Sequence, residues 1–211
     1  MGTQGSTDAG HDGAALPRVF APATQRERLL DGIAQTVAQR GYAATPVAEV
    51  LKAAGVSRRT FYEQFADKED CFLAAYDAIV ALCTERLVTA YHAGGDWDEG
   101  IERAYDALLR TLAAEPAFAH LGVVDVFAAG PAGIARRETT LRRFARFIDY
   151  TRERAEMHVT PPRLVGQAIV GGIYELLYSR IVRGETARLP DLTDELLHYT
   201  FMLLGVPRHV G

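Results

Sequence analysis

Between Thr45 and Lys68 the chain carries two apolar-patterned stretches, each too short to form a stable helix alone, joined by Ala54-Gly55-Val56. Thr45-Pro46 opens the first stretch, pairing a capping hydroxyl with a proline suited to a first helical turn. Val47, Val50, Leu51 and Ala54 follow at helical spacing, and Gly55 permits a tight turn. Ser57 then caps a second helix through Phe65. Val56, Thr60, Phe61 and Phe65 have the spacing to hold it at a steep angle against its neighbours. A helix so short is kept by packing, which leaves its outer face free. That face carries Ser57, Arg58, Arg59, Thr60 and Tyr62. Arginine bonds guanine bidentately in the major groove, and hydroxyls bond phosphates. The amino-terminal amides of such a helix also point at anions. Lys68, at the start of the next helix, is placed for a flanking phosphate. For Tyr62 two readings stand together, partial core and phosphate contact, because its ring serves both.

The rest of the chain is punctuated in the same helical manner. Thr24-Gln25-Arg26-Glu27 is a capping box, followed by Leu29, Leu30, Ile33, Ala34 and Val37, with Gly41 as the stop. Asp67 caps a long fourth helix to about His92, whose apolar stripe is Phe72, Tyr76, Ile79, Cys83, Leu87 and Ala90. Gly94-Gly95 separates it from a fifth helix opened by Asp96-Trp97-Asp98-Glu99 and carrying Ile101, Tyr105, Leu108, Leu109 and Leu112. Pro116 opens a sixth helix through Phe127, and Gly130-Pro131 precedes a seventh reaching about Met157. Thr160-Pro161-Pro162 caps an eighth to about Arg183, and Leu189-Pro190-Asp191 introduces a ninth to about Leu204. No segment alternates with period two, so the expected fold is all-α, with about nine helices and no sheet. The expected organisation is a disordered tail over 1–20, a helix-turn-helix domain over 21–68 and a larger helical domain over 69–211.

Charge supports that division. Residues 18–68 hold eight basic side chains (Arg18, Arg26, Arg28, Arg40, Lys52, Arg58, Arg59, Lys68) and five acidic ones (Glu27, Asp31, Glu49, Glu63, Asp67). The remainder is acidic enough to bring the whole chain to −4. A basic amino-terminal domain on an acidic body suits a local polyanion contact. Cys71 and Cys83, twelve residues apart in one helical stretch, cannot meet within a chain, which fits a reducing cytoplasm. The start of the chain lacks the basic and apolar segments of a signal peptide, and no run is long enough to span a membrane. The histidines (His11, His92, His120, His158, His198, His209) show no paired metal spacing. No Gly-rich phosphate loop or nucleophile elbow is present. The expectation is a non-enzyme without cofactor or metal.

Three segments together resemble the TetR family of transcriptional regulators. They are Thr45-Pro46-Val47-Ala48-Glu49-Val50, then Ala53 through Phe65 (Ala-Ala-Gly-Val-Ser-Arg-Arg-Thr-Phe-Tyr-Glu-Gln-Phe), then Asp67-Lys68-Glu69. Ile33, Gly41 and Tyr42 fit as well, and the resemblance covers about residues 25–75. It implies a helix-turn-helix repressor whose larger domain dimerises and binds a small molecule, and it adds Thr45 to the phosphate contacts. Arg59 stands where many members have a small residue, so base preference does not transfer. A two-fold dimer would read a palindromic operator in double-stranded DNA through half-sites roughly 34–36 Å apart or a multiple of that. The resemblance places the seam of that homodimer on the last two long helices. There Gly166, Ala168, Gly171 and Gly172 allow close approach, while Leu164, Ile173, Leu176, Leu177, Leu196, Leu197, Phe201 and Leu204 offer apolar area.

An effector pocket is expected among the middle helices. Phe118, Phe127, Phe144, Phe147, Tyr174 and Tyr178 are candidate lining residues, with Trp97 and Tyr105 nearby and small residues between them. Such walls suit a mainly apolar or aromatic small molecule, although aromatics at this spacing also build ordinary core. Asp125 interrupts Val123-Val124-Asp125-Val126-Phe127, where a charge needs a partner. It is a candidate anchor for a ligand's donor group, a candidate partner for Arg136 or Arg137, or solvent-facing. His120 is similar. The arginines from Arg136 to Arg154 are interleaved with Glu138, Asp149, Glu153 and Glu156 and read as a solvated face.

Overall fold

The computed structural model describes residues 16–152 and 162–206. Among them are nine α-helices and no strand: α1 Gln25–Arg40, α2 Val47–Ala54, α3 Arg58–Gln64, α4 Lys68–Tyr91, α5 Trp97–Ala114, α6 Pro116–Val123, α7 Gly130–Arg152, α8 Val165–Val182 and α9 Thr193–Leu204. Local caps set most of these boundaries. Thr24 accepts from the Glu27 amide while Glu27 accepts from the Thr24 amide. Ser57 accepts from Thr60 N, and Asp67 from Asp70 N. Each satisfies an amide the helix itself cannot pair.

Helices α1–α3 form the amino-terminal unit. Leu29, Leu30, Ile33 and Val37 are buried along α1, and Phe61 and Phe65 hold α3 onto it. Burial of each phenyl ring contributes roughly 1.5–3 kcal/mol, which secures a helix of only 7 residues. Gly55 adopts φ 63°, the left-handed conformation that turns the chain between α2 and α3. Gly32 lets α1 and α2 touch: a Cβ there would lie 3.1 Å from the Val50 carbonyl and from the Ala54 Cβ.

The fourth helix joins this unit to the body, packing on α1 at one end and on α5 and α6. Of the expected stripe, Phe72, Tyr76, Ile79, Cys83 and Leu87 are buried and Ala90 is half-buried, and Cys71 and Ala75 join the buried face. Helix α7 packs on α8, and α9 packs on α5 and α8. No single helix among the described residues is long and apolar enough to cross a membrane; α6 and the segment Asp125–Arg152 meet that measure only as a pair bent by 53°.

The structure corrects several expectations. Thr45 does not cap α2. Pro46 holds that position without a side-chain bond, and Thr45 is fully buried with its hydroxyl donating to the Gly41 carbonyl at 2.8 Å. The sixth helix ends at Val123 rather than Phe127, and Asp125–Ala129 forms a 3-10 turn. There Asp125 reaches back to His120 (2.6 Å) instead of continuing the helix. Helix α9 is likewise preceded by a 3-10 turn, Thr186–Leu192, containing Pro190. Residues at the end of the expected tail are docked: Val19 and Phe20 donate their amides to Glu115 Oε1 at 2.7 and 2.6 Å. Residues 1–15, Met157, Thr160 and Pro161 lie outside the described residues, as do His11, His158, His209, Glu153, Arg154 and Glu156.

Candidate functional site

Helix α3 presents Ser57, Arg58, Arg59 and Tyr62 to solvent, with Thr60 half-buried. Burial of Phe61 turns the opposite face outward, because α3 packs on α1 through one side only. Tyr62 is 52% exposed, and its ring meets Phe61 edge-on at 5.2 Å. It therefore packs against the core at one edge while half of it stays open to solvent. Arg59 extends along the surface to Glu63 at 2.8 Å, an exposed pair on one helix face. Ser57 and Thr60 share a hydrogen bond at 2.9 Å. Lys68 is less free than its position suggests: its ammonium donates to the Tyr42 carbonyl at 2.9 Å and lies 4.2 Å from the centre of the Tyr42 ring. Thr45, buried under α2, leaves the set of groups that face outward.

The body holds a cavity of about 100 Å³ bounded by α4, α5, α6, α7 and α8. Of the expected lining residues, Phe118, Phe144, Phe147 and Tyr174 are there. Asp125, Phe127 and Tyr178 are not part of the lining. Phe127 turns outward from its 3-10 turn and is 44% exposed. Asp125 is held by His120 Nδ1; burial pushes its carboxyl above the usual range and the imidazole pulls it back. Neither arginine proposed as its partner reaches it: Arg136 pairs with Asp77, and Arg137 lies over the Phe127 and Tyr174 rings.

The cavity also takes walls from residues that read in the sequence as apolar helix stripe, and from Tyr105, expected near the pocket. Tyr76, Ile79 and Cys83 come from α4, and Tyr105 and Leu108 from α5. Their hydrophobic spacing matches that of buried residues nearby, so no local signal separates them. The polar atoms of the wall are mostly engaged. Tyr105 shares a hydrogen bond with Thr200 (2.8 Å), and Tyr174 donates to the Val123 carbonyl (2.5 Å). Burial raises the pKa of both phenols.

On α8 and α9 the expected seam residues divide. Ile173, Leu177, Leu196, Leu197, Phe201 and Leu204 are buried within the protomer. Gly166 is pressed against the Ala145 carbonyl, and Gly172 against the Tyr199 ring. Exposed are Leu164 at the start of α8, Ala168, Gly171, Leu176 and Val182 on α8, and Met202 on α9.

A packed helix-turn-helix with an exposed basic second helix, mounted on a helical body with an internal apolar cavity, defines a ligand-binding regulator class. Residues 29–75 match the model of the bacterial regulatory proteins of the tetR family, and these residues hold the helix-turn-helix. No curated protein matches it. The fatty acid degradation regulator FadR from Bacillus halodurans shares the fold, with a TM-score of 0.77 at 20% identity over 90% of this chain and 100% of that one. The Bacillus subtilis regulator FadR, in complex with stearoyl-CoA, gives 0.72 at 17% identity over 85% and 98%. Reduced NemR from E. coli gives 0.66 at 19% identity over 88% and 100%.

Proposed function

We propose that this regulator is a cytoplasmic repressor that binds a palindromic operator as a two-fold dimer and is released by a mainly apolar ligand. One observation carries the reading. Helix α4 starts at Lys68, beside the outward-facing residues of α3, and supplies Ile79, Cys83 and Leu87 to the cavity wall. A ligand that changes the cavity's packing therefore acts on the same rigid rod that carries the DNA-reading unit. In the free dimer, Arg58 and Arg59 read base edges while Ser57, Thr60, Tyr62 and Lys68 hold phosphates. The ligand shifts the half-site spacing only through its differential affinity for the two arrangements. The exposed strip of Leu164, Ala168, Gly171, Leu176, Val182 and Met202 supports a seam on α8 and α9. Phe118, Phe144, Phe147 and Tyr174 are the ligand contacts; the stearoyl-CoA held by the Bacillus subtilis relative favours an acyl chain as the class of ligand.

The test is selection of bound sequences from a random duplex library, with affinities at two salt concentrations. A recovered two-fold palindrome, bound far above random DNA and released by an apolar ligand, is the expected result. Absence of enrichment overturns the operator reading. Unchanged DNA affinity at saturating ligand overturns the release mechanism.

A further inference from the structure

The residues of α7 that line the cavity occupy one face: Thr140, Leu141, Phe144, Phe147 and Ile148. Arg137 stands three residues before Thr140 and four before Leu141, so helical spacing places it on that same face. Its guanidinium carbon lies 4.0 Å from the centre of the Tyr174 ring and 5.1 Å from that of Phe127. The first ring is a wall of the cavity, and the second belongs to a side chain 44% exposed to solvent. Arg137 thus spans the edge of the cavity and the surface.

Its charge is poorly compensated. On α7, Arg136 pairs with Asp77 and Arg142 with Glu138, while Arg143 and Arg146 are exposed to water; Arg137 is half-buried. Among the described residues no carboxylate lies within ion-pair distance of Arg137, and its buried Nε makes no hydrogen bond. A half-buried guanidinium with an unsatisfied donor is expensive, and stacking on two ring faces offsets only part of the cost. What complements such a group is a planar or tetrahedral oxyanion taken by its forked donors.

We propose that Arg137 binds the anionic end of an amphipathic ligand whose apolar body fills the cavity. The proposal rests on the cavity being the effector site. The head lies between Tyr174 and Phe127, toward solvent, and the tail runs inward past Phe144 and Phe118. The shared chemistry is an acyl chain with an anion at its end. That anion belongs either to a free carboxylate or to the phosphates of an acyl carrier.

The experiment measures binding of dodecanoate, 1-dodecanol and dodecanoyl-CoA to the full chain by equilibrium dialysis, below the concentrations at which the ligands self-associate. The wild type is expected to bind at least one anionic ligand roughly tenfold or more tighter than dodecanol. Arg137→Gln removes that preference while keeping dodecanol affinity, and Arg137→Lys retains part of it. Preference for dodecanoate assigns the carboxylate; preference for dodecanoyl-CoA assigns the phosphates. Equal binding of the anions and dodecanol by the wild type, or an undiminished preference in Arg137→Gln, overturns the role of Arg137 and leaves the cavity reading standing. Failure of all three to bind overturns the cavity reading and this proposal with it.

Discussion

The ring of Phe20 packs on that of Phe118 with centroids 4.8 Å apart. Phe118 is a wall of the cavity, and Phe20 ends a segment clamped onto the buried carboxylate of Glu115. Arg18, in the same segment, donates to Glu115 and also to Asp31 on α1. One short stretch of chain therefore touches both the DNA-reading unit and the cavity. The Glu115 side chain is only 1% exposed, so Arg18→Ala leaves its charge with two amide donors. The expected loss is about 1–3 kcal/mol in urea unfolding. A loss near zero would reduce the clamp to an ordinary surface pair.

On α3, Arg58→Ala or Arg59→Ala is expected to cost about 1–3 kcal/mol of operator binding and to relax base preference. Unchanged preference in both variants would remove them from base reading. Glu63 holds Arg59 against the helix at 2.8 Å. Glu63→Gln should therefore tighten binding to all DNA modestly, most clearly at low salt. Titration of a labelled duplex at two salt concentrations reads these outcomes.

Gly122 lines the cavity, and a Cβ there would sit 3.4 Å from Ile79 Cγ2, an ordinary contact. Gly122→Leu should fill the space, leave operator binding intact and abolish release by ligand. Retained release at wild-type ligand concentrations would place the effector elsewhere.

Gly171 is exposed on α8, and a Cβ there meets nothing within 4 Å. Gly171→Glu should leave the protomer folded yet place like charges across the proposed two-fold seam. Sedimentation is expected to show a monomer with weakened operator binding. A stable dimer in this variant would move the seam off this face.

Burial pushes the thiols of Cys71 and Cys83 from 9.0 up to about 12. The folded state thus holds these protons more tightly than the unfolded chain. Their contribution to stability is whole below pH 9 and is lost as pH rises toward 12. Denaturant midpoints should fall above pH 9, and less steeply in Cys83→Ala. The same steepness in wild type and variant would remove Cys83 from the alkaline loss and leave it to Cys71 and buried phenols such as Tyr105, also raised by burial.

Much of the helical order was legible because its signals are local. The caps of Thr24, Ser57 and Asp67 each act within three residues, and the αL turn at Gly55 depends on one side chain. The outer face of α3 was legible for the same reason: once Phe61 and Phe65 are buried, the helical period fixes which residues point away. Thr45 was misread because its hydroxyl turns to the Gly41 carbonyl beneath α2, where tertiary burial outweighs capping propensity.

Sequence alone therefore determined the helical class, the helix-turn-helix and its outward basic face, all written in interactions a few residues long. Tertiary structure decided which aromatics enclose space. Phe118 and Phe127 look alike in the chain, yet one lines the cavity and the other turns out from a 3-10 turn. Whether volume remains between five helices depends on how all their side chains fit at once, and no local pattern carries that sum.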